Sequence, residues 1–339
     1  MALDILLFVI GFALAAMTLR DVFETVVVPG GSQASLRVTK RLLWVLLPLW
    51  KAVRGKRHGL SSVFAPLVLV LSFTIWIALL ALGFGLMAYS MRLHFRPPLG
   101  SIPNAVYMVG SSLVTIGVSE EDALGAGRWV VLGAGFCGLA VMTMAVTYLL
   151  QVQSSVSKRD VGIIKLNTVA GEPPSAVTLL VRFAAIGARD DLAEVLREGR
   201  NWCATVCQSH SNHPSLIYFQ SIGTGPGWPA ALGALLDLAL LSEQCLDDPP
   251  LRGAALLLRE EGARMARDLV GVIGLRPGNT GGDEALLKQS AEQLRSAGYR
   301  IRADTDFAAM ASQRGEYESC VNALAEHLGK PTAVLVRQQ

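Results

Sequence analysis

Three apolar runs, Leu3 to Leu19, Leu60 to Met91 and Trp129 to Val152, limit what this chain can fold into more than any other feature. The hydrocarbon core of a bilayer is about 30 Å thick and takes about 20 mostly apolar residues as a helix. The first run has Asp4 where a signal peptide needs basic residues, and Arg20, Asp21 and Glu24 where a small-residue cleavage site would be, so it reads as retained. At 17 residues it is also compatible with lying flat at the interface or re-entering, either of which would move the N-terminus inside. The second run is overlong and contains Pro66, which predicts a tilted helix or a first turn at the interface. With 52% hydrophobic and 17% charged residues, the chain is too apolar for an ordinary soluble globule and cannot be intrinsically disordered.

Charge separates the chain into two parts. Residues 1 to 170 carry 14 Lys and Arg against 7 Asp and Glu, and the remainder 16 against 20. Between the first two runs lie Arg20, Arg37, Lys40, Arg41, Lys51, Arg54, Lys56 and Arg57, opposed only by Asp21 and Glu24. The positive-inside rule makes that loop cytoplasmic, which puts the N-terminus and the loop before Trp129 outside and the C-terminus inside. Leu42 to Trp50 is too short to span and predicts an interfacial helix. Lys51, Arg54 and Arg57 sit three apart but outside any apolar run, so they read as cations on anionic headgroups. Five cysteines in a chain of this length fit reduced thiols, not a disulfide scaffold.

The loop before the third run reads PNAVYMVGSSLVTIGVSE from Pro103 to Glu120. Asn104 to Leu113 is uncharged and too short to cross, which predicts a re-entrant helix. Non-helical backbone at membrane depth is tolerated only inside protein or along a water-filled path. Small and β-branched residues after a short helix are what a carbonyl-lined filter needs. Thr143, Thr147 and Gln151 follow at four-residue spacing and share one helix face.

This order of span, short helix, filter-like segment, acidic residue and Gly-rich span resembles the pore module of the potassium-channel superfamily, over residues 60 to about 155. Thr115-Ile116-Gly117 matches the first three positions of the family's T-V-G-Y-G, and Glu120 falls where the family has Asp. Val118 and Ser119 depart from it. The family's outer Gly is left-handed, so Ser119 there would cost roughly 1–2 kcal/mol or alter the outer mouth. The resemblance implies that the carbonyls of Thr115, Ile116, Gly117 and Val118, with the Thr115 hydroxyl, replace a cation's hydration shell. It implies an acidic outer mouth of Glu120, Glu121 and Asp122, whose plain alternative is a solvated loop. Gly138 falls near the family's gating hinge; Gly133, Gly135 and Gly138 are either bending points or close-packing sites. Thr143, Thr147 and Gln151 would line the cavity. One pore loop per chain cannot enclose a pore, so the resemblance also implies a homotetramer.

From about Ser157 onward, amphipathic helices are expected at roughly 174–187, 189–211, 214–222, 228–246, 250–274, 282–297 and 303–328, with Ala333 to Val336 the one strand candidate. The stretch SHSNHPSLIYFQS resembles a segment of bacterial potassium-channel-like proteins with helical C-terminal domains. Cys203, Cys207, His210 and His213 share a helix face, but four ligands from one straight helix cannot wrap a zinc ion, so buried thiols and a helix-end histidine pair are expected instead. Gly223-Thr224-Gly225-Pro226-Gly227 follows no strand and reads as a linker, not a dinucleotide loop.

The resulting expectation is an all-α multi-pass protein of the cell membrane. Residues 1–59 form an N-terminal membrane helix and basic interfacial segment, 60–156 a pore domain and 157–339 a cytoplasmic helical domain. It would conduct a cation, K⁺ or also Na⁺, without enzymatic activity or cofactor. Its partners would be copies of itself, the bilayer with its anionic headgroups, and an unidentified cytoplasmic ligand, with no nucleic acid. A non-conducting scaffold or sensor derived from the same fold is the rival reading.

Overall fold

The structure, a computed structural model, describes residues 1–28, 36–54, 58–220, 223–278 and 281–336. It divides into two compact units, Met1–Gln153 and Ser154–Gln339. Three helices are long and apolar enough to cross a membrane: α1 (Ala2–Val26), α3 (His58–Ser90, apolar from Val63) and α5 (Gly127–Ala170).

In the first unit, α1 runs antiparallel along α3. Asp4 pairs with Arg92 at 2.5 Å near one end, and Asp21 accepts from the Trp76 indole at 2.8 Å near the other. Midway, a Cβ on Gly11 would lie 2.5 Å from the Gly83 carbonyl, and one on Gly83 would lie 2.9 Å from that of Gly11. Small residues here let two backbones touch, which is how apolar helices gain contact when burial from water does not drive them together. The first run therefore packs along its neighbour, and its helix extends past Leu19 to include Arg20, Asp21 and Glu24, where the sequence predicts a loop.

Asp21 is fully buried, and its carboxylate also accepts the backbone N–H groups of Arg37 at 2.7 Å and Val38 at 3.1 Å. It thereby caps α2 (Val38–Arg54), a helix that includes the stretch Leu42 to Trp50. Trp50 of α2 is buried against Phe64, while Trp44, Val45 and Leu49 are exposed. Lys40, Arg41 and Lys51 are exposed too. Arg57 and Lys56 lie outside the described residues.

After α3, a two-residue strand β1 (Phe95–Arg96) pairs antiparallel with β2 (Asp122–Ala123) and clips together the base of the loop that carries α4 (Ile102–Leu113). The sequence predicts no strand here, since two residues carry no alternation. The one it allowed, Ala333 to Val336, is not a strand: the Ser175 hydroxyl donates to the Leu335 carbonyl at 2.7 Å, and Val334 donates its N–H to Pro174.

The second unit packs helices around one wholly buried element. After α5 come α6 (Ala176–Ala185), α7 (Leu192–Asn212), α8 (Trp228–Leu240), α9 (Pro249–Ile273), α10 (Glu284–Ser296) and α11 (Phe307–Leu328). Short 3₁₀ turns stand at Arg189–Asp191 and Pro214–Tyr218, and a π turn at Leu241–Cys245 ends α8. Every residue of α8 is buried, as its sequence WPAALGALLDLAL allows. Its single charge, Asp237, is met by Arg314 at 2.9 and 3.3 Å and by the Tyr317 hydroxyl at 2.7 Å. A buried carboxylate is tolerated when paired and hydrogen-bonded in this way.

Candidate functional site

Helix α4 begins with Ser101 capping the Asn104 N–H at 3.4 Å and ends at Leu113, where the chain turns into segment 115–119. That turn is organised by Ser111. Its carbonyl accepts the N–H of Ile116 at 2.8 Å and of Gly117 at 3.1 Å. The peptide unit is planar, and in its trans form the carbonyl points opposite to the next residue's N–H. The carbonyls of Thr115 and Ile116 are therefore directed away from the end of α4, and both residues are exposed. Thr115 (φ +63°) and Gly117 (φ +71°) are left-handed, alternating with Ile116. For a β-branched residue that conformation is strained, and strain of this kind persists only where the surroundings over-determine it.

Two side-chain contacts shape the rest of the segment. The Val118 carbonyl does not face away from α4, because the Ser111 hydroxyl lies 2.8 Å from it. The same hydroxyl lies 2.8 Å from the Met108 carbonyl, so its one proton serves either acceptor. Second, of the two outcomes expected at Ser119, left-handed strain or an altered outer mouth, the first is absent, since Thr115 and Arg37 are the non-glycine residues with positive φ among those described. Ser119 turns the chain through its side chain instead: its Oγ accepts the Glu121 N–H at 3.0 Å and lies 2.9 Å from the Glu121 carboxylate.

The acidic trio is correspondingly divided. Glu120 is exposed, Glu121 is turned onto Ser119, and Asp122 stands in β2 opposite Arg96.

Helix α5 runs without a break through Gly133, Gly135 and Gly138. A Cβ on Gly138 would fall 1.8 Å from the Leu113 carbonyl, so this glycine exists to let α5 touch the end of α4. The nearest atoms to a Cβ on Gly133 or Gly135 are 3.6 Å away, ordinary contact. Thr143, Thr147 and Gln151 are exposed, and the two threonine hydroxyls donate to the carbonyls of Leu139 and Thr143 within their own helix. Trp129, Leu132, Phe136, Leu139 and Val146 are exposed as well, while Val130, Ala134, Val141 and Tyr148 are buried against the rest of the unit. One face of α5 thus packs inward and the other is apolar and uncovered.

In the second unit Cys203, Cys207, His210 and His213 are all buried along α7 and its end. They do not converge: the Cys207 thiol lies 3.7 Å from Asp268, and His210 lies 3.4 Å from the Arg159 guanidinium. Among the described residues no three His, Cys, Asp or Glu side chains are grouped to hold a metal. Burial and, secondarily, the Arg159 charge push His210 down to about 3, and burial raises the Cys203 thiol. Arg159 itself is structural, donating to Asp160 and to the carbonyls of Leu216 and Phe219.

Sequence reasoning missed Ser111 and Asp21. The signal for the first was a hydroxyl pair, Ser111-Ser112, ending an otherwise apolar helix; for the second, a carboxylate continuing the register of an apolar one. Comparison of the chain with protein-family models, with curated proteins and with solved structures finds no match.

Proposed function

We propose that this chain forms a homotetrameric, K⁺-conducting membrane channel, related to the potassium-channel superfamily, in which the backbone of residues 115–117 is the ion-selective segment. The observation that carries this reading is the convergence of the Ile116 and Gly117 N–H groups on the Ser111 carbonyl, which leaves the Thr115 and Ile116 carbonyls directed away from α4. Carbonyls so arranged by four copies around an axis substitute for a cation's hydration shell. The segment sits between two helices long enough to span, and the uncovered apolar face of α5 suits contact with further copies and with lipid. Helix α4 directs its negative end toward the same region. Positive charge between α1 and α3 supports a cytoplasmic C-terminal unit. With Val118 withdrawn, fewer carbonyls are offered than in T-V-G-Y-G, and discrimination of K⁺ from Na⁺ is correspondingly weakened.

Liposomes containing the purified protein, loaded with K⁺, Na⁺ or Cl⁻ gradients, test this. The expected result is cation flux without Cl⁻ flux, abolished by Gly117→Asp. The engagement of Val118 by Ser111 also favours a second reading, a closed-off pore serving as a membrane scaffold, and an absence of flux from a folded tetramer would select it.

A further inference from the structure

Helix α2 folds back along the first half of α3. Trp50 stacks on Phe64 with ring centroids 5.3 Å apart, and Asp21 ties the N–H groups of Arg37 and Val38 to the Trp76 indole. Both helices rise about 1.5 Å per residue, so the two anchors set one antiparallel register, in which Trp44 stands level with Val70. The helix runs on from Val70 to its end at Ser90, a length of about 30 Å, which is the thickness of the hydrocarbon core. With Ser90 at one boundary of the hydrocarbon, Trp44 falls at the other, the level at which tryptophan concentrates in membrane proteins.

The side chains around Trp44 match that depth. Lys40 precedes it by four residues, Val45 and Leu49 follow Arg41 at the same step, and Lys51 lies one heptad after Trp44, so the six share one side of α2. All six are exposed, Trp44 at 76%. Trp44, Val45 and Leu49 make an apolar centre between cationic ends. Lys51 stands on the headgroup side, and Lys40 and Arg41 stand about 5 Å to the other, near enough for long side chains to reach back to the boundary. The chain has no Asp or Glu between Glu24 and Glu120. The two acids just before that interval are engaged, Asp21 by the bonds above and Glu24 by Arg20 at 2.7 Å. A second copy laid face to face on this side of α2 would set cation against cation. Anionic headgroups above hydrocarbon instead complement both its charge and its apolar centre.

We infer that this side of α2 is a docking surface for anionic phospholipid, with Lys40, Arg41 and Lys51 on the headgroups and Trp44, Val45 and Leu49 against the upper acyl chains. The inference rests on α1 and α3 spanning a bilayer and is independent of whether the chain conducts ions. Its test places the purified full chain in phosphatidylcholine nanodiscs that hold a minority of phosphatidylglycerol. An equal mole fraction of brominated acyl chains is carried by one lipid or by the other, and quenching of the Trp44 emission is read as wild type minus Trp44→Phe. Brominated phosphatidylglycerol should quench Trp44 about threefold or more as strongly as brominated phosphatidylcholine, because cations beside the site enrich the anionic lipid there. Lys40→Gln, Arg41→Gln and Lys51→Gln combined should bring the ratio to about one, while Lys40→Arg with Lys51→Arg, which keeps the charge, should preserve it. Equal quenching by the two lipids in the wild type would mean a lipid face without choice of headgroup and overturns the inference. Trp44 emission quenched by neither lipid overturns it as well, since protein would then cover the helix. So does an undiminished ratio in the glutamine variant, provided its unfolding midpoint matches the wild type.

Discussion

Gly138→Ala separates packing from hinge bending in α5. Real Cβ atoms do not come within 3.0 Å of a heavy atom, and a Cβ here would lie 1.8 Å from the Leu113 carbonyl, so the two backbones must part by at least the 1.2 Å difference. The obstacle is main chain, which cannot swing aside as a side-chain end would, and Leu113 itself is fully buried. Overpacking of this kind costs about 1–3 kcal/mol, and the shift falls two residues before Thr115. The measurement is the thermal midpoint of the detergent-solubilised protein, run beside its cation flux. Gly138→Ala should lower both, whereas Gly133→Ala and Gly135→Ala, whose new Cβ atoms meet nothing nearer than 3.6 Å, should leave the midpoint unchanged or raise it. A Gly138→Ala protein as stable as the wild type but altered in gating would refute the packing argument and restore the hinge.

Ser111→Ala releases the Val118 carbonyl at the loss of one hydrogen bond; under the proposed function the K⁺ to Na⁺ permeability ratio should rise about two- to tenfold, read from reversal potentials. An unchanged ratio would mean that the bond does not govern selectivity. Asp237→Ala removes the bonds that Arg314 and Tyr317 make to it and leaves Arg314 with Glu318 at 2.8 Å as its remaining carboxylate, so it should cost about 3 kcal/mol in chemical denaturation, with Asp237→Asn retaining part of the loss. Because burial first and Arg159 second push His210 down to about 3 from its usual 6.5, the neutral ring's contribution is complete above pH 6.5 and lost as pH falls toward 3. At pH 5 about 2 kcal/mol should be gone, and His210→Gln should flatten that slope in unfolding midpoints measured from pH 7 to 4.

Periodicity and punctuation made most elements legible. Pro249-Pro250 opens α9 and Gly274 closes it, Asp283 and Asp306 cap α10 and α11, and the expected spans 250–274, 282–297 and 303–328 lie close to these bounds. Helix α5 shows the limit of reading by hydropathy. It continues through charged Lys158, Arg159 and Asp160 to Ala170, because nothing in that stretch breaks a helix and Gly162 closes on the Trp202 indole. The strand pair β1–β2 was invisible because two residues carry no alternation. In segment 115–119 the residue types were informative and the hydrogen bonds were not. That Ser111 gathers two N–H groups on its carbonyl, and that Ser119 avoids left-handed backbone through a side-chain turn, depends on geometry that spacing does not encode.

The central claim is that the Thr115 and Ile116 carbonyls surround a cation. Its most direct test is anomalous scattering from crystals of the full-length protein grown in Rb⁺. The account predicts a fourfold assembly with Rb⁺ peaks on its axis at the level of those two carbonyls and none beside the Val118 carbonyl. An assembly without an axial ion, or with those carbonyls turned back toward α4, would contradict it.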